Sequence, residues 1–302
     1  MEKEFYSNGK LLLSGEYAIL DGALGLAVPT KFGQSLQVED TDTGLLEWES
    51  KDENHQLWFQ ASFDLNDLTP IASSDMGTAH ILKELLSEAK KQNPAFLASA
   101  NGLKVTTSLG FPREWGLGTS STLINNIAQW AEVDAYQLLW NAFGGSGYDI
   151  ACAQHNGPIL YQVKNGKVTV EEVGFHPSFK DDLLFVYLKQ KQSSKEAIAA
   201  YRGKMFDKEA LISNITRITG SMATAQNLSE FEALVGKHEI VLSKILGIPP
   251  IKSKLFPDYP GSIKSLGAWG GDFVLATGGA GAKDYFRFKG YSTLLSYKDM
   301  VL

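Results

Sequence analysis

The chain has 302 residues, 44% of them hydrophobic and 21% charged, which is material for one large domain or two closely packed lobes. Its net charge of -6 supplies no general field for nucleic acid or for an anionic membrane, so an anionic ligand has to be held by a local site. A lone cysteine, Cys152, rules out an intrachain disulfide framework, and the scattered histidines lack metal-ligand spacing. The charged start and the short apolar run Leu11-Leu12-Leu13 fit neither a signal peptide nor a membrane span, and the protein is expected in the cytoplasm.

In chain order, strands are expected at 11–13, 36–38 and 45–48. Residues 80–92 switch to helical period, with Ile81, Leu82, Leu85 and Leu86 on one face. A strand at 102–108 leads into a loop carrying Pro112, Gly110, Gly116 and Gly118. A helix at 119–131 follows, with Leu123, Ile124, Ile127 and Trp130 at helical spacing. A second helix at 135–143 is broken by Gly144-Gly145. Strands at 159–161 and 168–170 flank an Asn165-Gly166 turn. A new unit starts near Asp181, with a dense apolar strand at 183–188 and helices at 195–201, 208–219 and 229–246. A glycine-containing loop at 262–271 and a strand at 273–277 complete it. This organisation divides the chain into lobes at 1–180 and 181–302.

Four segments carry possible chemistry. Gly116-Leu117-Gly118-Thr119-Ser120-Ser121 opens an amphipathic helix, so backbone N–H groups, glycine freedom and the helix dipole can converge on a phosphate. By itself the segment reads equally as an ordinary turn with a Ser/Thr cap, and it is neither a Walker loop nor a dinucleotide fingerprint. Lys10 heads a strand, where it can reach a phosphate or stand as a solvated charge. Asp149 follows a glycine turn and precedes an apolar run, as a base or as a helix cap. Residues 266–272 form a second backbone cradle or a tight connection into a strand.

The order of these segments resembles that of the GHMP kinases, the family of galactokinase, homoserine kinase, mevalonate kinase and phosphomevalonate kinase. The first family motif is similar to residues 9–22, the phosphate loop to 116–122, the aspartate segment to 145–153 and the third motif to 267–272. Together they span nearly the whole chain. The run Gly-Glu-Tyr-Ala-Ile-Leu-Asp-Gly at 15–22, the Gly-Tyr-Asp-Ile-Ala run at 147–151 and Asp272 resemble the mevalonate branch, phosphomevalonate kinases foremost. Two departures stand out. Trp269 occupies a position that is glycine in the family, so that loop takes another shape or uses the ring to shield the site. The metal-binding glutamate of mevalonate kinases has no counterpart around Gln137.

The resemblance implies an α+β, two-lobed fold: an N-terminal α/β lobe with the ATP loop and a C-terminal ferredoxin-like sandwich. It implies ATP and Mg2+ as cofactors, a small-molecule substrate, and a monomer or homodimer. Gly116, Leu117, Gly118, Thr119, Ser120 and Ser121 would hold the ATP phosphates, with Thr119 or Ser120 near Mg2+. Lys10 would neutralise charge on the transferring group and hold Asp149, the base for an alcohol acceptor. The substrate side would draw on Glu16, Ser146, Ser193, Ser194, Gly267, Ala268 and Gly270. Lys189, Lys191 and Lys195 surround the two serines and could meet an anionic substrate.

Overall fold

The computed structural model describes residues 2–190, 194–269 and 271–302. The chain forms two compact units that interleave in sequence. One comprises Met1–Gly9, Phe32–Arg113 and Leu117–Gln154; the other comprises Lys10–Lys31, Glu114–Gly116 and His155–Leu302. The boundary expected at 180/181 falls inside the second unit.

In the first unit, β1 (Glu2–Ser14) and β2 (Gly25–Asp40) contribute one end each, and β3 (Leu45–Lys51), β4 (Leu57–Asp64), β5 (Pro70–Ser73) and β6 (Leu103–Leu109) complete the sheet. The strand order is β5-β4-β3-β6-β2, with β3 parallel to β6 and the other neighbours antiparallel. Burial alternates along β3, so one face carries Leu46 and Trp48 inward. Helices α1 (Met76–Gln92), α2 (Thr119–Ala131), α3 (Ala135–Ala142) and α4 (Tyr148–Gln154) supply the rest of that core, through Leu82, Leu86, Ile124, Ile127 and Ile150. Asp75 caps α1 by accepting the Gly77 N–H at 2.9 Å, which starts the helix before its expected first residue.

The second unit contains the other ends of β1 and β2, a 3-10 turn at Ala18–Asp21, and the hairpin of β7 (Ile159–Lys164) and β8 (Lys167–Glu172). β7 pairs antiparallel with β2 at Gly25, Leu26 and Ala27. A separate antiparallel sheet has the order β10-β11-β9-β12, from β9 (Leu183–Tyr187), β10 (Ile263–Ser265), β11 (Phe273–Thr277) and β12 (Leu294–Ser296). Around it lie α5 (Ser194–Arg202), α6 (Lys208–Ala223), α7 (Leu228–Leu246), α8 (Ile251–Leu255), α9 (Gly279–Phe288) and α10 (Tyr297–Met300). One core gathers Val186, Val274, Phe256, Tyr259 and Phe286. Another gathers Tyr17, Tyr201, Leu211, Leu242 and Trp269.

α2 occupies its expected span residue for residue. β1 and β2 are much longer than expected, because residues 25–30 are buried on both faces and so show no alternation. β4, β5, α4, α8, α9, β12 and α10 lie outside the expected elements, and β10 occupies part of the segment read as a glycine loop. Among the described residues no helix is long and apolar enough to cross a membrane.

Candidate phosphate-transfer site

The loop ahead of α2 owes its path to two glycines with positive φ, Gly116 at 68° and Gly118 at 97°. Gly118 is the N-cap of α2 and supplies no capping side chain. The hydroxyls that follow point backwards: Ser121 Oγ donates to the Gly118 carbonyl at 2.9 Å, and Thr122 Oγ1 lies 3.0 Å from the same oxygen. The first-turn N–H groups of the helix are therefore left to whatever lies beyond its end. Thr119 is half-buried and Ser120 exposed, so these two hydroxyls stay available. Ser121 is buried, and only its backbone can serve a phosphate. Leu117 is fully buried and acts as the anchor of the loop.

Lys10, on the half of β1 that belongs to the second unit, donates from Nζ to the Gly116 carbonyl at 2.8 Å. The first-motif lysine is thus held on the glycine loop. Asp272 packs against the same glycine: a Cβ added to Gly116 would stand 2.3 Å from Asp272 Oδ2. The Asp272 backbone is fixed by bonds of 2.7 Å to Gln190 and Leu188. Trp115 meets Phe273 edge to face at 5.5 Å, and the Tyr187 hydroxyl donates to the Glu114 carbonyl at 3.2 Å. In the sequence Asp272 marks only the family branch it resembles. Its contact with Gly116 depends on β11 and the loop lying side by side, which no local pattern reveals.

Trp269 has φ 46° and is 5% exposed, with its ring in the core beside Tyr17, Tyr201 and Leu242. It fills the interior and does not shield a site. Gly267 keeps a positive φ of 62°, and Ala268 is half-buried beside it. Gly270, Lys191 and Ser193 lie outside the described residues, as do the side chains of Ser194 and Lys195.

Glu16, expected on the substrate side, is 1% exposed. Its Oε1 stands 2.5 Å from Lys264 Nζ and its Oε2 stands 3.2 Å from His238 Nε2. Lys264 also lies 3.7 Å from Glu239 Oε1, which accepts the Ser265 N–H. Burial pushes the Glu16 carboxyl up, but Lys264, 2.5 Å from Oε1, outweighs it and holds the group below the ordinary carboxylate range. Burial, with Lys264 beside it, lowers His238, which stays neutral; its Nε2 accepts the Gly15 N–H at 3.2 Å. Burial raises Glu239 to about 7 against the pull of Lys264. Glu16 is therefore a strut between the first motif and β10, and its charge is consumed internally.

Asp149 lies in the first unit as the second residue of α4, half-buried, with Oδ1 accepting the Ile150 N–H at 3.2 Å. Ser146 is half-buried in the preceding turn. Burial lifts the Tyr136 phenol well above its usual range, with Cys152, Asp134 and the Asp149 charge adding to the effect. α4 is tied to α2 by Gln154 Nε2 donating to Asn125 Oδ1 at 2.9 Å. Beneath α2 a buried network continues: Asn125 Nδ2 to Ser7 Oγ at 2.8 Å, Ser7 Oγ to Asn126 Oδ1 at 2.6 Å, and Thr122 Oγ1 to Gln34 Oε1 at 2.7 Å. A signal for it stands in the sequence of α2. Thr122, Asn125 and Asn126 recur at i, i+3 and i+4, the spacing of one helical face, and all three are buried.

Among the described residues no group of three or more His, Cys, Asp or Glu side chains could hold a metal ion. A magnesium ion suits such a site when phosphates and waters supply most of its ligands, with a hydroxyl of Thr119 or Ser120 beside them.

No family model and no curated protein matches the sequence. Solved structures do match in fold. Mevalonate kinase from Methanococcus jannaschii is 14% identical, with a TM-score of 0.70, over 98% of this chain and 97% of its own. Phosphomevalonate kinase from Streptococcus pneumoniae, solved with phosphomevalonate and AMPPNP, is 15% identical, with a TM-score of 0.72, over 97% of this chain and 99% of its own. Galactokinase from Lactococcus lactis, solved with galactose, is 13% identical, with a TM-score of 0.69, over 98% and 92%. The chain has the fold of the GHMP kinases along essentially its whole length.

Proposed function

We propose that the protein is an ATP-dependent GHMP-type kinase that phosphorylates a small anionic acceptor, phosphomevalonate in the first place and mevalonate in the second. The observation that carries this reading is the hold of Lys10 on Gly116. It joins the first-motif lysine to a loop whose helix end offers uncapped N–H groups. Phosphoryl transfer is largely positioning and charge neutralisation, and these groups serve both.

ATP with Mg2+ supplies the phosphoryl group and a counter-charge for it. The N–H groups at the start of α2 bind the phosphates, with the hydroxyls of Thr119 and Ser120 beside the ion. Lys10 offsets negative charge on the group in transit. For an alcohol acceptor, Asp149 takes the hydroxyl proton. A phosphate acceptor has its second pKa at about 6 and arrives largely ionised, so Asp149 then acts through orientation and charge. Buried Glu16 takes no part in substrate contact.

A coupled assay of ADP release tests this across mevalonate, phosphomevalonate, diphosphomevalonate, homoserine and galactose. Turnover with phosphomevalonate or mevalonate, abolished in Lys10→Met, is the expected result. Phosphate release accompanying turnover of diphosphomevalonate would point to a decarboxylating relative. ATP binding without turnover of any acceptor would leave a nucleotide sensor and overturn the kinase reading.

A further inference from the structure

β8 ends the strand order on its side of the sheet, and among the described residues its ladder partner is β7 alone. Lys167, Thr169 and Glu171 are exposed, while Val168 and Val170 are half-buried on the other face. The hairpin fixes which backbone groups face outward. Asn165 and Gly166, at φ 52° and 74°, make a two-residue turn closed by the pair Lys164–Lys167. In such a turn the closing pair is hydrogen-bonded, so odd-numbered residues of β8 point their N–H and C=O at β7. Val173 obeys the same parity, donating to Pro158 at 2.9 Å. Val168, Val170 and Glu172 therefore direct both backbone groups away from the sheet.

We propose that this edge is a self-association surface: two copies pair their β8 strands antiparallel about a two-fold axis at Thr169. The parity permits four symmetric registers with three or more β8 residues paired; the one centred on Val168 sets Lys167 against Thr169, with no opposite charges paired. One centred on Val170 sets Val168 against Glu172 and Thr169 against Glu171, with no charge paired. One centred on Glu171 sets that carboxylate against itself. The register centred on Thr169 makes Val168 and Val170 the hydrogen-bonded pair and sets Lys167 opposite Glu171 twice, once in each half. It also relieves a conflict within the monomer, where Lys164 and Lys167 are direct cross-strand neighbours. On the other face it extends the apolar row formed by Tyr161, Val163, Val168 and Val170. The interface is isologous, as a two-fold contact must be, and it stands independently of the kinase reading.

Pairing through one strand belongs to the small, transient class of interface, so self-association is read by sedimentation equilibrium over roughly 1–300 µM protein. Wild type is expected to show a monomer–dimer equilibrium. Glu171→Lys turns both attractive pairs repulsive and should weaken the dimer about tenfold or more, as should Lys167→Glu. The double variant Lys167→Glu/Glu171→Lys exchanges the charges and should restore the wild-type constant. Circular dichroism confirms that each variant is folded; Thr169→Lys, which places like charges at the axis, serves in place of any that is not. A wild type that stays monomeric throughout, or a Glu171→Lys variant that dimerises like wild type, would overturn the proposal. So would a double variant no tighter than the single ones.

Discussion

Replacing Lys264 with methionine strips Glu16 of its nearest cation while keeping a side chain of similar length in the core. Lys264 is fully buried, with Nζ 2.5 Å from Glu16 Oε1, and the carboxylate itself is 1% exposed. Removing one partner of such a pair costs about 3–5 kcal/mol, because the other charge is left buried. His238 offsets part of this, since loss of Lys264 lets its pKa recover, which places the expected cost near ~3 kcal/mol. For domains of this size that is a fall in Tm of roughly 6–12 °C. The deficit should depend on pH with a definite sign. In the wild type Glu16 sits below its ordinary pKa, so its contribution is present above the unfolded value and is lost as pH falls through the folded one. In the variant the carboxyl rises and protonates readily, so the gap between the two proteins narrows on acidification. Glu239 works the other way. Raised to about 7, it stabilises below its unfolded pKa of 4.5 and loses that contribution as pH rises through 7. Urea unfolding at about pH 7.5 and about pH 5.5, followed by tryptophan fluorescence, reads both effects. The double variant Glu16→Gln/Lys264→Met should recover much of the loss, since no isolated charge remains. A single-variant cost under ~1 kcal/mol, or a deficit that widens on acidification, would refute the view of this cluster as a charge-balanced strut.

Three further outcomes are expected. Asp149→Asn should cut turnover by about 10²–10⁴ while ATP affinity, measured by titration calorimetry, stays near wild type; unchanged turnover would remove Asp149 from the chemistry. Gly116→Ala places a methyl 2.3 Å from Asp272 Oδ2 at a φ of 68°, and the strain of about 1–3 kcal/mol should appear as weaker ATP binding in the same titration. Trp269→Ala should cost about 3–5 kcal/mol in urea unfolding as a core cavity. Trp269→Phe should cost under ~1.5 kcal/mol, because the indole Nε1 has no hydrogen-bond acceptor among the described residues. Equal losses in the two variants would argue against the packing role.

Much of the candidate site was legible because it is local. The glycines and hydroxyls at 116–122 dictate a turn and a helix start from their own backbone preferences, and α2 begins and ends where its apolar period says. The order of the motifs along the chain carried the resemblance that the fold bears out. Long-range partnership was not legible. A lysine reads the same in sequence whether it lies exposed or, as Lys264 does, neutralises a glutamate 248 residues away inside the core. Glu16 was placed with the substrate for that reason: its motif marks the neighbourhood, and only packing decides whether a carboxylate faces solvent or a buried cation. Trp269 departed from a glycine pattern, and only the core around Tyr17 and Leu242 explains the exchange. Local sequence thus determined which backbone can cradle a phosphate. Tertiary structure decided which charges remain available to use it, because burial and pairing are properties of segments that meet only in the folded chain.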